Sequence, residues 1–206
     1  MERKQLSTKE IGTKYDSFAR YYNLAELFTH FFIAPFRKRL LKHAYGNVLE
    51  VGIGTGANLK YYSSDCNVTG VDASKEMLAQ ARKRGRKFDI NINLQRGDVE
   101  HLPYKSKKFD CVVDTLGLCT YPHPIEALKE MKRVCKKGGK ILLLEHGRSN
   151  NNFVHKMQLK REMKHYDRIG CSLVRNHDQL VHKAGLHITR RERRIFGILY
   201  LIIIQA

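Results

Sequence analysis

The chain has 206 residues, 42% of them hydrophobic and 28% charged, and its 38 Lys and Arg against 20 Asp and Glu give a formal net charge of +18. A chain of that length holds one sizeable core, here expected as one domain with embellishments, and its apolar fraction excludes intrinsic disorder. Five cysteines (Cys66, Cys111, Cys119, Cys135, Cys171) are odd in number and form no C-x-x-C pair, which excludes a disulfide framework or a zinc ribbon and points to a reducing, cytoplasmic setting.

The opening "MERKQLSTKEIGTKYDSF" lacks the apolar stretch of a secretory signal. Residues 15–44 are apolar at helical spacing and rich in aromatics, and Pro35 is expected to open a second helix. "NVLEVGI" (47–53) reads as a strand, "GANLKYYSS" (56–64) as a helix and "NVTGVDA" (67–73) as a strand. "SKEMLAQARKRGR" (74–86) follows as a helix that Ser74 could cap. "INLQRGD" (92–98) and "FDCVVDTL" (109–116) are strands three and four. "PIEALKEMKRVCKKGG" (124–139) is an amphipathic helix entered at Pro124 and closed by glycines, with Lys136 and Lys137 at its cation-favouring end. "KILLLEH" (140–146) is the fifth strand, and a basic, His-dotted insert (148–168) precedes the helix "HDQLVHKAGL" (177–186). "HITRRERRI" and "GILYLIIIQA" end the chain as a candidate hairpin; the run "IFGILYLIII" (195–204) is about half the ~20 residues a bilayer span needs and reads as a buried strand.

Strands alternating with helices predict an α/β fold with a parallel sheet covered on both faces, whose ligands bind beyond the carboxyl ends of the strands. "VLEVGIGTGANL" (48–59) stands at the first of those ends. Gly52, Gly54 and Gly56 let a strand turn sharply into a helix and let backbone approach a ligand closely. With Ala57 the stretch also satisfies a dinucleotide fingerprint, so three acids discriminate. Glu50 is expected to face the ligand, where it would repel a pyrophosphate and attract an ammonium. Asp72 ends the second strand, where an acid accepts ribose hydroxyls, and Asp98 follows the third, where it could accept an adenine amino group. An acid at each of the first three strand ends fits S-adenosylmethionine better than a dinucleotide.

At this point the sequence resembles the class I S-adenosylmethionine-dependent methyltransferases, through "VLEVGIGTGANL", "VTGVDASKEMLAQAR", "QRGDVEHLPYKSKKFDCVV" and "EALKEMKRVCKKGGKILLLEH" over roughly residues 46–146. The resemblance implies a Rossmann-like seven-stranded, mostly parallel sheet with the last strand antiparallel. It implies a helical N-terminal lid (1–45) on a methyltransferase domain (46–206) that carries the basic insert at about 147–170. It places Glu50, Gly52, Gly54 and Gly56 around the methionine moiety, Asp72 on the ribose, and Ala73, Met77, Asp98 and Val99 about the adenine. Thr115 and Leu116 would line the methyl-donor side, and S-adenosylhomocysteine would be the product. "KYDSFARYYN" is similar to the aromatic lid of the quinone C-methyltransferases, where Tyr15, Tyr21 or Tyr22 could close over the donor. "LCTYPHPIEALKEMKRVCKKGGKILLLEHGRS" with "DRIGCSLVRNHDQLVHKAGL" is similar to the small, membrane-associated thiol methyltransferases, without their hydrophobic N-terminal anchor.

Methyl transfer from a sulfonium mainly requires the acceptor to be held close and aligned. His146, after the fifth strand, is the candidate general base, and Cys119 and Tyr121 are candidates for the border of the acceptor pocket. His155, His165, His177, His182 and His187 lack metal-ligand spacing, so no metal is expected. The exit "DTLGLC" is unlike the Asn-Pro-Pro-Tyr loop of base-amine methyltransferases, which argues against nucleic acid as substrate despite the charge. The expected reaction is methyl transfer to a small apolar acceptor, a thiol first. Quinone C-methylation or phospholipid N-methylation at an acidic membrane surface, and a non-catalytic S-adenosylmethionine-binding or RNA-associated role, remain the alternatives.

Overall fold

A computed structural model describes residues 5–88 and 92–206, leaving aside the side chains of residue 18 and of residues 20–31. Seven strands form one sheet in the order β3-β2-β1-β4-β5-β7-β6. β1 (Asn47–Val51), β2 (Asn67–Asp72), β3 (Ile92–Arg96), β4 (Phe109–Thr115) and β5 (Cys135–His146) pair in parallel. β7 (Leu199–Gln205) inserts antiparallel between β5 and β6 (His187–Arg194), so the expected terminal hairpin also closes the sheet.

Period-two alternation sends neighbouring strand residues to opposite faces. On β5, Ile141 and Leu143 pack beneath Ala127, Leu128 and Met131 of α3 (Pro124–Val134) and Val181 of α5 (His177–Lys183). Leu142 and Leu144 meet Leu40 and Leu41 of α1 (Thr8–Leu41) and Leu78 of α2 (Lys75–Lys87) on the other face. Ser74 caps α2 as expected, its hydroxyl accepting from the Met77 N–H at 3.1 Å.

Three element boundaries differ from the expectations. Pro35 lies inside a single helix rather than opening a second one. A proline there costs about 3 kcal/mol, but Ile33, Phe36, Leu40 and Leu41 bury one stripe of α1 on the sheet, and that burial carries the helix through. The helix expected at 56–64 is a single 3₁₀ turn, Leu59–Tyr61, because Asn58 and Tyr62 on either side turn their side chains onto Glu50. α3 stops at Val134, since Cys135 turns extended (ψ 140°) and 135–139 joins β5, with the Gly139 carbonyl accepting from the Ala206 N–H. The basic insert forms α4 (Asn152–Ile169), capped by Asn151 and ended at Gly170 in the left-handed region. Among the described residues no helix is long and apolar enough to cross a membrane.

Candidate active site

A cleft opens at the carboxyl ends of β1, β2 and β4, the edge at which sheets of this kind bind their ligands. Its floor is the turn after β1. Gly52 (φ +58°) and Gly54 (φ +55°) both adopt the left-handed region, and a Cβ on Gly52 would stand 2.6 Å from the Tyr121 hydroxyl. The Gly54 N–H donates to Asp72 Oδ2 and the Ser74 N–H to Asp72 Oδ1, each at 2.8 Å. Asp72 thus ties the floor to the start of α2 with lone pairs left for a ligand. Burial raises its carboxyl to about 6, against the pull of those two N–H groups.

Ala73, Met77, Asp98 and Val99 line one wall, and Thr115, Leu116 and Tyr121 line the other. Leu116 holds a left-handed φ of +60°, a strained conformation for a branched residue. The N-terminal part of α1 covers the cleft with Thr8, Ile11, Gly12 and Tyr15. It is tied down at both ends: Gln5 donates to the Pro122 carbonyl at 2.6 Å, and Asp16 accepts from Ser74 at 2.5 Å and from the Glu76 N–H at 3.1 Å.

Beneath the floor lies a polar network. Glu50 is buried and accepts from Asn58 and Tyr62, each at 2.8 Å. Arg37 Nη1 donates to Asn58 and to Thr115 Oγ1, both at 2.7 Å. Burial pushes the Glu50 carboxyl up to about 7 even so. A second acidic pair, Asp114 and Glu145, is fully buried on adjacent strands. Asp114 accepts from the Tyr121 hydroxyl at 3.2 Å, and Glu145 from the Gly117 and Leu118 N–H groups, while Asp114 Oδ2 and Glu145 Oε2 have no hydrogen-bond partner among the described residues. Burial raises both, helped by Glu50 acting on Asp114 and by Asp114 acting on Glu145, and carries Asp114 to about 8, so the pair retains protons near neutrality.

Several expectations need correction. Glu50 does not face the cleft: its carboxylate is buried with Asn58 and Tyr62 as partners, because Asn58 folds back over it. Gly56 is also absent from the cleft and packs where a Cβ would meet Leu59 and Ala81 of α2. His146 does not line the cleft either; it points behind the wall, with Nε2 3.0 Å from Cys171 Sγ. Cys119 is buried in the same place. The side chains of Tyr21 and Tyr22 lie outside the described residues.

Sequence reasoning missed Arg37 and Gly117, which both line the cleft. Arg37 was findable as a cation on the apolar stripe Ile33, Phe36, Leu40 and Leu41. Gly117 gave no signal beyond its place after a strand, yet a Cβ there would stand 2.3 Å from Asp114 Oδ1.

Comparison with known proteins finds methyltransferases. A family model described as a methyltransferase domain matches residues 49–143. "Methyltransferase OMS1, mitochondrial" of Saccharomyces cerevisiae is 29% identical over 84% of this chain and 41% of its own length. A phosphatidylethanolamine N-methyltransferase of Cereibacter sphaeroides is 38% identical over 53% of this chain and 57% of its own. The ubiquinone/menaquinone biosynthesis C-methyltransferase UbiE of Bdellovibrio bacteriovorus is 35% identical over 55% and 52%. The chain therefore spans about half the length of the curated relatives it matches. A structure of the Haloferax volcanii Trm112 methyltransferase activator in complex with a methyltransferase matches the fold with a TM-score of 0.75 at 19% identity, over 93% of this chain and 97% of the other.

Proposed function

We propose that this chain, which belongs to the class I S-adenosylmethionine-dependent methyltransferase superfamily, binds S-adenosylmethionine in the cleft and methylates a small, largely apolar acceptor, a thiol ahead of others. The fit rests on the cradle of Gly52 and Gly54 beside Asp72, which a side chain on Gly52 would fill. Once bound, S-adenosylmethionine supplies a methyl group already activated on a sulfonium. Asp72 offers its remaining lone pairs to a ribose diol, and Ala73, Met77 and Val99 form apolar walls for a flat ring with Asp98 beside them. Arg37, buried at the cleft edge, offers a cation to a carboxylate. The α1 segment over the cleft excludes water, and holding two reactants aligned in this way is worth on the order of 7–11 kcal/mol.

The observation that favours a thiol is the chemistry of the lining. The described cleft residues include neither histidine nor lysine, and the Tyr121 hydroxyl donates to Asp114, with burial foremost in holding the phenol proton more tightly than usual. A thiol of pKa ~8.5 is already a few per cent thiolate at neutral pH and needs little help from a base. A phenol or an amine at pKa ~10 needs more.

One surface favours a second reading, an acceptor presented by an acidic membrane. On α4, Phe153, Met157, Leu159 and Met163 are exposed among Lys156, Lys160, Arg161 and Lys164. The turn beside the start of that helix exposes Ile195 and Phe196, both in the left-handed region, and Ser149 donates to the Phe196 carbonyl. Apolar side chains interleaved with cations suit an anionic bilayer, where a quinol or a phospholipid amine would be met. The test is methyl transfer to an alkyl thiol, a quinol and phosphatidylethanolamine, each with and without anionic vesicles. Vesicle-independent turnover of the thiol supports the first reading. Turnover of the quinol or lipid alone, lost in Phe153→Ser with Phe196→Ser, would replace it with the second.

A further inference from the structure

Cys119, His146 and Cys171 come from three separate places in the chain: the loop after β4, the end of β5 and the turn after α4. Their ligand atoms lie within 4.8 Å of one another. His146 Nε2 is 3.0 Å from Cys171 Sγ, and the two sulfurs are 3.4 Å apart. Both cysteines are buried, and neither His146 nor either cysteine lines the cleft.

We propose that these three side chains form a binding site for one zinc ion, a cofactor site separate from the methyl-donor cleft. A tetrahedral zinc with Zn–S ~2.3 Å and Zn–N ~2.0–2.1 Å sets two sulfurs ~3.8 Å apart and sulfur and nitrogen ~3.6 Å apart. The two sulfurs, 3.4 Å apart, and the His146–Cys171 pair, 3.0 Å apart, stand slightly inside those edges, and all three ligand atoms lie within 4.8 Å of one another, so a bound ion would spread these two pairs by about half an ångström. Their spacing is fixed by bonds that do not involve the thiols. The Ser172 N–H donates to the Cys119 carbonyl at 3.0 Å, and Glu162 accepts from the Ser172 hydroxyl and the Leu173 N–H at 2.7 Å each. Pre-formed support of this kind is what orients metal ligands.

The charges balance as well. As zinc binds, each thiol releases one proton to solvent, and two thiolates with one neutral imidazole cancel the charge of the dication. A neutral cluster is the form that a buried wall tolerates. Three protein ligands leave a fourth position for an exogenous donor, water or a small thiol. Because Cys119 shares its loop with Leu116, Gly117, Thr120 and Tyr121 of the cleft, the ion would fasten that wall to β5 and to the turn after α4.

Cobalt and zinc titrations of the chelator-stripped, reduced full chain test the proposal. The expected result is one equivalent of cobalt, with thiolate-to-metal charge-transfer bands and the visible bands of a tetrahedral site, displaced by zinc. The charge-transfer bands should weaken in Cys119→Ser and in Cys171→Ser and persist in Cys66→Ser. In the unmutated chain, zinc should slow alkylation of Cys119 and Cys171, mapped by mass spectrometry, by at least tenfold. Absence of metal uptake by the reduced chain, charge-transfer bands undiminished in Cys171→Ser, alkylation unchanged by zinc, or conversion to a Cys119–Cys171 disulfide in place of metal uptake would overturn it.

Discussion

Asp72→Asn isolates the residue on which the proposed donor site turns. In the native site each Asp72 oxygen accepts one backbone N–H at 2.8 Å, from Gly54 and from Ser74. Asparagine keeps one acceptor and sets an NH₂ group against the other N–H, so one of these donors loses its partner. An unsatisfied donor costs about 1–3 kcal/mol, which for a chain of this size lowers Tm by roughly 2–12 °C. A ribose held as proposed loses a charge-assisted bond at the same time, about 1.5–3 kcal/mol, or roughly a 10–150-fold weaker Kd. Differential scanning calorimetry and titration with S-adenosylhomocysteine, which does not turn over, measure the two effects separately. If the variant binds S-adenosylhomocysteine within about threefold of the native chain, Asp72 does not hold the donor and the reasoning fails.

Other perturbations read the remaining parts of the site. Because the Asp72 carboxyl is raised to about 6 and the ribose is best served by the carboxylate, S-adenosylhomocysteine affinity should drop about tenfold per pH unit below 6; a flat profile between pH 5 and 7 would contradict this. Glu50 is raised in the folded state from an ordinary 4.5 to about 7, so its stability contribution is complete below pH 4.5 and lost as pH rises to about 7, a change of about 3 kcal/mol at about 1.4 per unit. Glu50→Gln should flatten that part of the stability profile in urea titrations, and an unaltered slope would show that another group titrates. Gly52→Ala meets both a left-handed φ and the Tyr121 hydroxyl, and should abolish detectable donor binding while costing about 1–3 kcal/mol in stability; native-like titration would refute the cradle. If the acceptor supplies its own nucleophile, Tyr121→Phe should leave kcat for an alkyl thiol within about threefold, and a hundredfold loss would make Tyr121 a proton carrier.

Much of the fold was legible because its signals are local. The apolar runs of β1, β4 and β5 mark strands buried on both faces, and Ser74 marks the start of α2. Asp72, Asp98 and two of the three glycines were placed on the cleft by their position at strand ends, which the parallel topology gathers on one edge. What escaped the sequence depends on side-chain direction and long-range pairing. Glu50 stands at the expected strand end, but Asn58 and Tyr62 capture it from below. His146 ends β5 as expected and turns toward two cysteines that are 27 and 25 residues distant in sequence, a meeting that no spacing rule encodes. The extent of β5 was hidden because Lys136, Lys137 and two glycines read as a helix end, whereas pairing with β4 and with the last residues of the chain draws Cys135–Gly139 into the sheet. Pro35 shows the opposite case, a strong local stop signal outweighed by the stripe of α1 buried on the sheet.

Incubation with S-adenosylmethionine carrying an isotopically labelled methyl group, with an alkyl thiol as acceptor and mass-spectrometric quantification of both products, tests the central claim most directly. Labelled methyl thioether and S-adenosylhomocysteine are expected in equal amounts, both lost in Gly52→Ala. Donor binding without label in the thiol, a quinol or phosphatidylethanolamine would contradict the proposed methyl transfer to a small acceptor, and failure to bind the donor at all would contradict the assignment of the cleft.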